Sequence, residues 1–238
     1  MGMLQGTNMI RDYLVEYVQE LHKSKDFNKQ TVRRSSTMSN AGRVTTGFSM
    51  SLDGFIAGPN EDFQYLFAWM TSGDTDYTIT IGDQEQKLKI AEESVERFDE
   101  AINTSGALVA GRRLYELTHG WGGHHPVGAP VVVVTHRPPP EWVKEDWPVT
   151  FVTDGVESAI AQAKVIAGVN NVVVASATIV QQCLNAGLLD EIHIDLVPFL
   201  LGDGVRLFEH LKVAPVALEN PQVSIGKGVT HLTYRIKK

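Results

Sequence analysis

The sequence predicts an α/β fold whose mixed, mostly parallel sheet is flanked by helices. Short, continuously apolar segments are typical of strands buried on both faces of a parallel sheet, and they lie at 107–110, 130–135 and 170–176. Segments with apolar residues at helical spacing alternate with these strands, at 84–103, 155–167 and 177–187. Strand-forming segments at 221–226 and 229–237 are close enough in sequence to form an antiparallel pair, which makes the sheet mixed.

Two further strands and one helix are predicted from local pattern. The segment 44–51, VTTGFSMS, alternates and is rich in strand-forming residues, so it predicts the first strand. The segment 191–200, EIHIDLVPFL, predicts another strand. The apolar run at 107–110 ends in Gly111, and the residues from Arg112 onward have helical character. A buried strand therefore leads into a helix at this glycine.

The first 42 residues are predicted to be a helical extension, separate from a single domain over residues 43–238. Apolar side chains recur at helical spacing over residues 8–23, which predicts an amphipathic helix. The segment from Ser24 to Gly42 is polar and charged and has few side chains to bury, so it predicts a linker. Met38 is a candidate start of the compact domain. The helix can pack on the domain, on another subunit, or on neither.

Composition excludes several classes of function. The 238 residues carry a net charge of −7, which argues against a nucleic-acid-binding protein. The single cysteine, Cys183, excludes an intramolecular disulfide and any multi-cysteine metal site, and its apolar surroundings predict a buried residue. No apolar run approaches the roughly 20 residues that a membrane span needs, and the amino terminus lacks a secretory signal pattern. We therefore expect a cytoplasmic protein without membrane partners.

Histidines and glycines raise further candidates for a site. His119, His124 and His125 lie in the glycine-rich segment HGWGGHHP, where a metal site and a mobile loop beside a cleft are the alternatives. Their spacing does not match a helical ligand pair and no carboxylate is adjacent, so we predict a loop and no metal. Glycine-rich phosphate-binding motifs of the G-x-G-x-x-G and P-loop types are missing.

Small or polar residues follow four predicted strands, at the point where each strand ends. The four segments are Ser51-Leu52-Asp53-Gly54, Gly111-Arg112-Arg113, Thr135-His136-Arg137-Pro138 and Ala175-Ser176-Ala177-Thr178. Open α/β sheets bind ligands at the carboxyl ends of their strands. The arginine pair is either a solvated turn or an anion site, because a guanidinium and the N–H groups of a helix start both favour phosphate.

The order of these motifs resembles the dihydrofolate reductase-like superfamily. The matching segments are strand–SLDGFIAG, strand–GRRLYEL, strand–THRPP and strand–ASATIVQQCLNAGLLDEIHIDLVPFLLGDGVRLF. The resemblance is closer to the branch that contains the reductase domain of the bifunctional riboflavin-biosynthesis enzyme, and it covers roughly residues 43–237. It implies a dihydrofolate reductase-like fold, NADPH as cofactor and a small-molecule substrate, and a homodimer is a candidate oligomeric state.

The resemblance also implies cofactor-binding residues. The matching positions are Gly111, Arg112, Arg113 and Leu114 for the NADPH phosphates, Thr135, His136 and Arg137 for the adenosine end and 2′-phosphate, and Ala175, Ser176, Ala177, Thr178 and Ile179 for the pyrophosphate at a helix start. The arginines suit a 2′-phosphate, which NADH lacks. One charged hydrogen bond contributes roughly 1.5–3 kcal/mol, so we expect NADPH to bind about tenfold or more tightly than NADH.

Two positions depart from the family pattern. The pyrophosphate turn usually carries a glycine pair, whose peptide is cis in dihydrofolate reductases, and here the pair is Ala175-Ser176. A cis bond between non-proline residues costs roughly 3–4 kcal/mol, although the Ser176 hydroxyl can offset part of the loss by donating to phosphate. The riboflavin-pathway reductases place a substrate-contacting acid just before this turn, where this chain has Val174.

The resemblance implies a substrate-binding role for Asp53, and Ser51 before it and Trp121 in the glycine-rich loop are further candidates for the substrate side. Asp53 either anchors a polar heterocycle beside the nicotinamide or only stabilises its own turn, and Trp121 either covers a planar substrate or packs within its loop. The implied function is NADPH-dependent hydride transfer to a pterin- or pyrimidine-like substrate, similar to 5-amino-6-(5-phosphoribosylamino)uracil reductase. The alternatives are nucleotide binding without turnover and an assembly role for the amino-terminal helix.

Overall fold

The computed structural model describes residues 42–81, 84–123, 125 and 127–238. The strands are β1 (Val44–Ser51), β2 (Phe55–Ala57), β3 (Thr75–Ile81), β4 (Gln84–Ile90), β5 (Ser105–Gly111), β6 (Val131–Val134), β7 (Val149–Val152), β8 (Asn171–Val174), β9 (Glu191–Val197), β10 (Val205–Arg206), β11 (Gln222–Gly226) and β12 (Val229–Arg235). The α-helices are α1 (Gln64–Phe67), α2 (Glu92–Thr104), α3 (Arg112–Leu117), α4 (Val156–Ala167) and α5 (Ala177–Asn185). Short 3₁₀ turns lie at Pro59–Glu61, Ala68–Thr71 and His119–Gly123.

Eight strands form one mixed sheet in the order β11-β12-β9-β1-β8-β5-β6-β7. The six strands from β9 to β7 in this order are parallel, and β12 and β11 are antiparallel additions beside β9. The predicted mixed, mostly parallel sheet with flanking helices is therefore confirmed. The antiparallel hairpin predicted near the carboxyl terminus is also present, at Gln222–Gly226 and Val229–Arg235. The predicted helix at 8–23 and nearly all of its linker lie outside the described residues.

The single helix predicted over 84–103 is wrong in its first half. Residues Gln84–Ile90 form a strand that pairs in antiparallel fashion with Thr75–Ile81, and the helix begins only at Glu92. In this strand Leu88 and Ile90 are buried while Lys87 and Lys89 are exposed, which is a strand period of two. The partner strand was not predicted, and the pairing with it decides the conformation.

Two layers of helices cover the sheet. On one face, α4 and α5 pack against a core that includes Val109, Val132, Val172 and Ile194. On the opposite face, α3 and the turn His119–Gly123 cover β5 and β6, while α2 and the turn Ala68–Thr71 cover β1, β9 and β12. The central strands are thus apolar on the α4–α5 face, as a parallel sheet requires.

An opening in the sheet lies beside β1. This strand pairs with β8 only from Val44 to Thr46, where the Thr46 hydroxyl donates to the Val174 carbonyl at 2.7 Å. On its other edge β1 stays paired with β9 as far as Ser51. After Thr46, therefore, one edge of β1 has no neighbouring strand among the residues that the structure describes. Gly47, the next residue, is exposed although it belongs to a central strand.

Cys183 is fully buried in α5, and burial raises the pKa of its thiol to about 12. This matches its predicted role as a small apolar side chain. Across the described ranges, no three histidine, cysteine or carboxylate side chains gather as metal ligands. Nor does that part of the chain contain a helix with the length and apolar character to cross a membrane.

Val109 provides a test of the core beneath α4. Its side chain is completely buried, whereas Val165, on the outer side of α4, is 83% exposed. We expect Val109→Ala to lower the free energy of unfolding by about 2 kcal/mol through lost burial and a residual cavity. The matched control Val165→Ala should change it by less than about 0.5 kcal/mol. Urea denaturation of the two variants measures both values, and similar losses would contradict the assigned core.

Candidate active site

The turn between β5 and α3 carries the arginine pair that the sequence singled out. Arg112 is largely buried, with 13% of its side chain exposed. Its Nε donates to Glu116 Oε1 at 2.6 Å, and its Nη1 donates to the Pro138 carbonyl at 2.6 Å. Arg112 therefore connects α3 to the segment that follows β6. Two of the nitrogens of Arg112, Nε and Nη1, thus already donate within the protein.

Glu116 contacts two of the three arginines that were predicted to suit the 2′-phosphate, Arg112 and Arg137. Its Oε1 binds Arg112, and its Oε2 lies 3.4 Å from Nη2 of Arg137. The hydrogen bond from Arg112 is the main reason that the pKa of Glu116 is lowered, and the charge of Arg137 adds to it. Arg113 is exposed and pairs with Glu61 at 2.7 Å. Each predicted phosphate-binding cation thus already has a carboxylate partner.

The segment after β6 is a turn stabilised by its own threonine. Thr135 is buried, and its hydroxyl accepts a hydrogen bond from the Arg137 N–H at 3.1 Å. This local bond fixes the backbone that carries His136 and Arg137, whose side chains are exposed. Arg137, with 66% of its side chain exposed, is accessible to a ligand.

The turn between β8 and α5 is held by the residue that departs from the family pattern. Ser176 Oγ accepts the Gly111 N–H at 2.8 Å, and Ala175 N–H donates to the Val109 carbonyl at 2.9 Å. The only cis peptide among the described residues is Ala214–Pro215, so the Ala175–Ser176 bond is trans. The serine hydroxyl accepts from a neighbouring turn and retains its own proton for another acceptor.

The start of α5 has unpaired backbone donors. The N–H groups of Ile179 and Val180 donate to the Ser176 carbonyl, and no side chain caps this helix. Within the described residues, the N–H groups of Ala177 and Thr178 have no acceptor. The side chains of Ile179 and Leu114 pack into the core, so these two residues can offer a ligand only their backbone.

The three turns predicted to bind a cofactor are joined to one another. Gly111 and Ser176 connect the first turn to the third, and Arg112 connects the first to the second through the Pro138 carbonyl. They follow β5, β6 and β8, which are adjacent strands of the sheet. The structure therefore brings the predicted cofactor residues together as one continuous rim at the carboxyl ends of these strands.

Asp53 uses its carboxylate to hold the loop that follows β9. Oδ1 accepts the Ser51 hydroxyl at 2.6 Å and the Leu201 N–H at 3.1 Å, and Oδ2 accepts the Gly202 N–H at 2.7 Å. The bond from Ser51 contributes most to lowering the pKa of Asp53 to about 2. Ser51 itself is fully buried, so it supports Asp53 and does not present its hydroxyl to a substrate. Of the two predicted roles for Asp53, the geometry shows the turn-stabilising one, and substrate contact stays a prediction.

Trp121 lies in a left-handed turn packed against the core. All five residues of His119–Gly123 have positive φ, and a Cβ at Gly120 would lie 2.7 Å from the Tyr115 hydroxyl oxygen. Trp121 is only 5% exposed and meets the Tyr115 ring edge-on at 6.1 Å between centroids. Burial favours the packing alternative for Trp121 over the substrate-covering one. His119 stacks on Trp142, and His124 lies outside the described residues.

Four charged residues, two beside the rim turns and two beside β1, were not identified from sequence. Glu116 is four residues after Arg112, and this helical ion-pair spacing could have identified it. Glu61 contacts Arg113 from a distant segment, so no local pattern links them. Arg97 of α2 and Asp195 of β9 form an ion pair at 3.5 Å. Arg97 also lies next to the exposed Gly47, where a Cβ would be 3.4 Å from its Nη2.

The lowered pKa of Asp53 predicts a pH-dependent stability. Because the folded pKa is below the unfolded one, ionised Asp53 stabilises the fold above about pH 4, and this stabilisation is lost as the pH falls toward about 2. Asp53→Asn should therefore be less stable than the wild type at neutral pH, and the difference should narrow over that range. Hydrogen exchange should also accelerate at the Leu201 and Gly202 amides.

Asp203→Asn is the matched control, because Asp203 lies in the same loop and, within the described part of the chain, accepts a hydrogen bond only from the adjacent Gly204 N–H. It should leave exchange at 201 and 202 unchanged. A stability difference between Asp53→Asn and wild type that is constant from pH 7 to pH 2 would contradict the role assigned to Asp53.

Comparisons with known proteins agree with this architecture. The family model described as the RibD C-terminal domain matches residues 43–229. A comparison with curated proteins found no match. The solved structures that resemble this chain include a protein described as a riboflavin biosynthesis protein from Shewanella sp. PV-4, with 22% identity, a TM-score of 0.62, and coverage of 82% of this chain and 99% of that one.

Two other solved structures share the fold at lower identity. Dihydrofolate reductase from Enterococcus faecalis, complexed with NADP(H) and a compound named RAB-propyl, is 13% identical, with a TM-score of 0.54 and coverage of 83% of this chain and 98% of that one. The riboflavin biosynthesis reductase of Saccharomyces cerevisiae is 11% identical, with a TM-score of 0.51 and coverage of 96% and 99%. Since the family model matches most of its length, this chain belongs to the RibD C-terminal domain family and has a dihydrofolate reductase-like fold.

Proposed function

We propose that this protein is an NADPH-dependent reductase that transfers a hydride to a small pterin- or pyrimidine-like heterocycle. The observation that carries the proposal is the rim formed by the turns after β5, β6 and β8, which the Gly111–Ser176 and Arg112–Pro138 hydrogen bonds join. A dinucleotide is long and bears phosphates at several points, so it needs several such turns in register. The family match and the solved reductases of riboflavin biosynthesis support the reductase class.

The residues of the rim fit NADPH. The unpaired N–H groups of Ala177 and Thr178 suit the pyrophosphate, because a helix start favours anions. The exposed guanidinium of Arg137 suits the 2′-phosphate. NADP(H) is present in the Enterococcus faecalis dihydrofolate reductase complex, which has the same fold. When bound, NADPH supplies the hydride, and the protein needs chiefly to orient it.

The chain's own residues position the reactants. Ser176 holds the β5 and β8 turns together and keeps a hydroxyl proton for a phosphate oxygen. The opening beside Gly47 exposes β1 where no side chain projects, which lets a flat ring approach the backbone. Asp53 stays ionised at neutral pH because its pKa is about 2, so it does not act as a general acid. It fixes the loop after β9 and retains one acceptor position on Oδ2 for a substrate N–H.

Nucleotide binding without turnover is the second candidate. It is favoured by the engagement of Asp53, whose three hydrogen bonds to its own chain leave little capacity for substrate. Val174, which is buried in the position of the family's substrate-contacting acid, also favours it. A homodimer and an assembly role for the amino-terminal helix stay predictions, since that helix lies outside the described residues.

Cofactor titration tests the two candidates. We expect fluorescence and thermal-shift titrations of the full chain to show NADPH binding about tenfold or more tightly than NADH. We also expect NADPH absorbance to fall when a pterin or pyrimidine from a substrate panel is added. Binding without consumption across pterins, pyrimidines and flavins would favour the second candidate. No stabilisation by millimolar NADPH would exclude both.

Substitutions at Glu116 and at Arg137, which form one ion pair, should change NADPH affinity in opposite directions. Arg137→Ala should weaken NADPH about fivefold and NADH by less than about twofold, because an exposed cation contributes about 1 kcal/mol to a phosphate contact. Glu116→Gln should strengthen NADPH relative to NADH by a similar factor, since it frees both arginines from their carboxylate. Lys164→Ala on α4 is the control for a lost positive charge. Equal effects on the two cofactors would contradict the assignment of the 2′-phosphate.

A further inference from the structure

A buried arginine borders the opening beside β1. Arg97 projects from α2 with 17% of its side chain exposed, and a Cβ at Gly47 would lie 3.4 Å from its Nη2. Only glycine at position 47 leaves this space free of a side chain. The guanidinium therefore lies at the floor of the opening, where β1 has lost its β8 neighbour.

The hydrogen-bond donors of Arg97 are not used by the described part of the chain. Its Nε lies 3.5 Å from Asp195 Oδ1, which is an ion-pair distance without the geometry of a hydrogen bond. No other acceptor among the described residues takes its N–H groups. A guanidinium with most of its surface buried loses free energy unless its five donors find acceptors. The N–H groups of Arg97 are therefore available to a ligand in the opening.

Asp195 complements Arg97 with an open acceptor. Its Oδ1 lies 2.7 Å from His231 Nδ1, and His231 Nε2 lies 2.8 Å from the Ser94 hydroxyl. The contacts from Ser94 through His231 to Oδ1 fix the orientation of the Asp195 carboxyl group. Oδ2 accepts no hydrogen bond from the described residues, and the side chain is 16% exposed.

A second carboxylate on β9, that of Glu191, differs from Asp195 in having more partners within the protein. Glu191, four residues earlier on β9, is contacted by Arg43, Arg235 and His193, at 3.3, 3.4 and 2.8 Å respectively. Both carboxylate oxygens of Glu191 are thus occupied by side chains of the protein itself. The Arg97–Asp195 pair faces the same side of the sheet, and it keeps donors and an acceptor free where the opening begins.

We infer that Arg97 and Asp195 form a recognition pair for the amide edge of a heterocyclic substrate, that is, a ring carbonyl adjacent to a ring N–H. Arg97 donates to the carbonyl oxygen, and Asp195 Oδ2 accepts from the N–H. The pair carries no net charge, which favours a neutral ring, because a phosphate at this place would meet the Asp195 carboxylate. This inference rests on the proposed function and specifies its substrate.

The pair lies along the middle of β1. Arg97 is next to Gly47, and Asp195 is in register with Ser49 on the neighbouring strand. Asp53 follows Ser51, beyond the end of β1. We therefore assign recognition of the amide edge to Arg97 and Asp195, between Gly47 and Ser49, and place Asp53 at the carboxyl end of the strand.

The experiment uses pterin, which has the amide edge, and 2,4-diaminopteridine, in which the same edge has its donor and acceptor reversed. Calorimetry on the full chain, with and without saturating NADPH, measures both ligands for the wild type, Arg97→Lys, Asp195→Asn and the control Arg235→Lys. We expect the wild type to prefer pterin, and Arg97→Lys and Asp195→Asn each to lose about tenfold in pterin affinity. Arg235→Lys should bind as the wild type does.

Cofactor binding separates the inference from the proposed function. All three variants should bind NADPH with wild-type affinity, because none lies on the rim. If the wild type does not bind NADPH, the proposed function alone is overturned. A preference of the wild type for pterin would still support substrate recognition by Arg97 and Asp195. Equal binding of the two pteridines, no pterin binding, or wild-type pterin affinity in Arg97→Lys would overturn the inference. Arg97→Lys decides the matter if Asp195→Asn fails to fold.

Discussion

The site depends on the unequal pairing of β1 along its two edges. On one edge, pairing with β8 ends at Thr46, whose buried hydroxyl donates to the Val174 carbonyl. On the other edge, pairing with β9 continues to Ser51. The chain passes from β8 through α5 to β9, and so it crosses β1 at this point. In open α/β sheets such a change in direction creates a crevice at the carboxyl ends of the strands. The opening at Gly47 follows from this feature, and it lies at the same edge of the sheet as the rim that we propose binds the cofactor.

Carboxylates form ion pairs with the arginines of the rim and so offset part of its positive charge. Glu116 contacts Arg112 and Arg137, and Glu61 contacts Arg113, so two carboxylates balance two of the three positive charges. A bound phosphate has to compete with these partners, which reduces the free energy gained from each arginine. Arg112 is the least available, because it is largely buried and also holds the Pro138 carbonyl. In the proposed function, discrimination between NADPH and NADH therefore rests more on the exposed Arg137 than on the pair Arg112 and Arg113.

Local pattern sufficed for features whose physical cause is local. The apolar run that ends at Gly111 predicted a buried strand, and the structure has one at Ser105–Gly111 followed directly by a helix. It failed at Gln84–Ile90, where Leu88 and Ile90 are compatible with either period until the pairing with Thr75–Ile81 decides between them. The substitution of Ser176 for glycine was visible, but its bond to Gly111 was not, because those residues meet only through the order of strands in the sheet.

The same reason explains why the polar layer beneath α2 escaped prediction. Asp195 and His231 become neighbours because β9 pairs with β12, and Arg97 and Ser94 join them only when α2 packs on that face. Within this layer, the Glu191 cluster is saturated and the Asp195 cluster is not, and the difference coincides with the place where β8 ends. In the proposed function the rim turns bind the cofactor and not the substrate, so they do not distinguish one substrate from another. We therefore assign substrate selectivity to the floor of the opening, where Arg97 supplies donors and Asp195 supplies an acceptor.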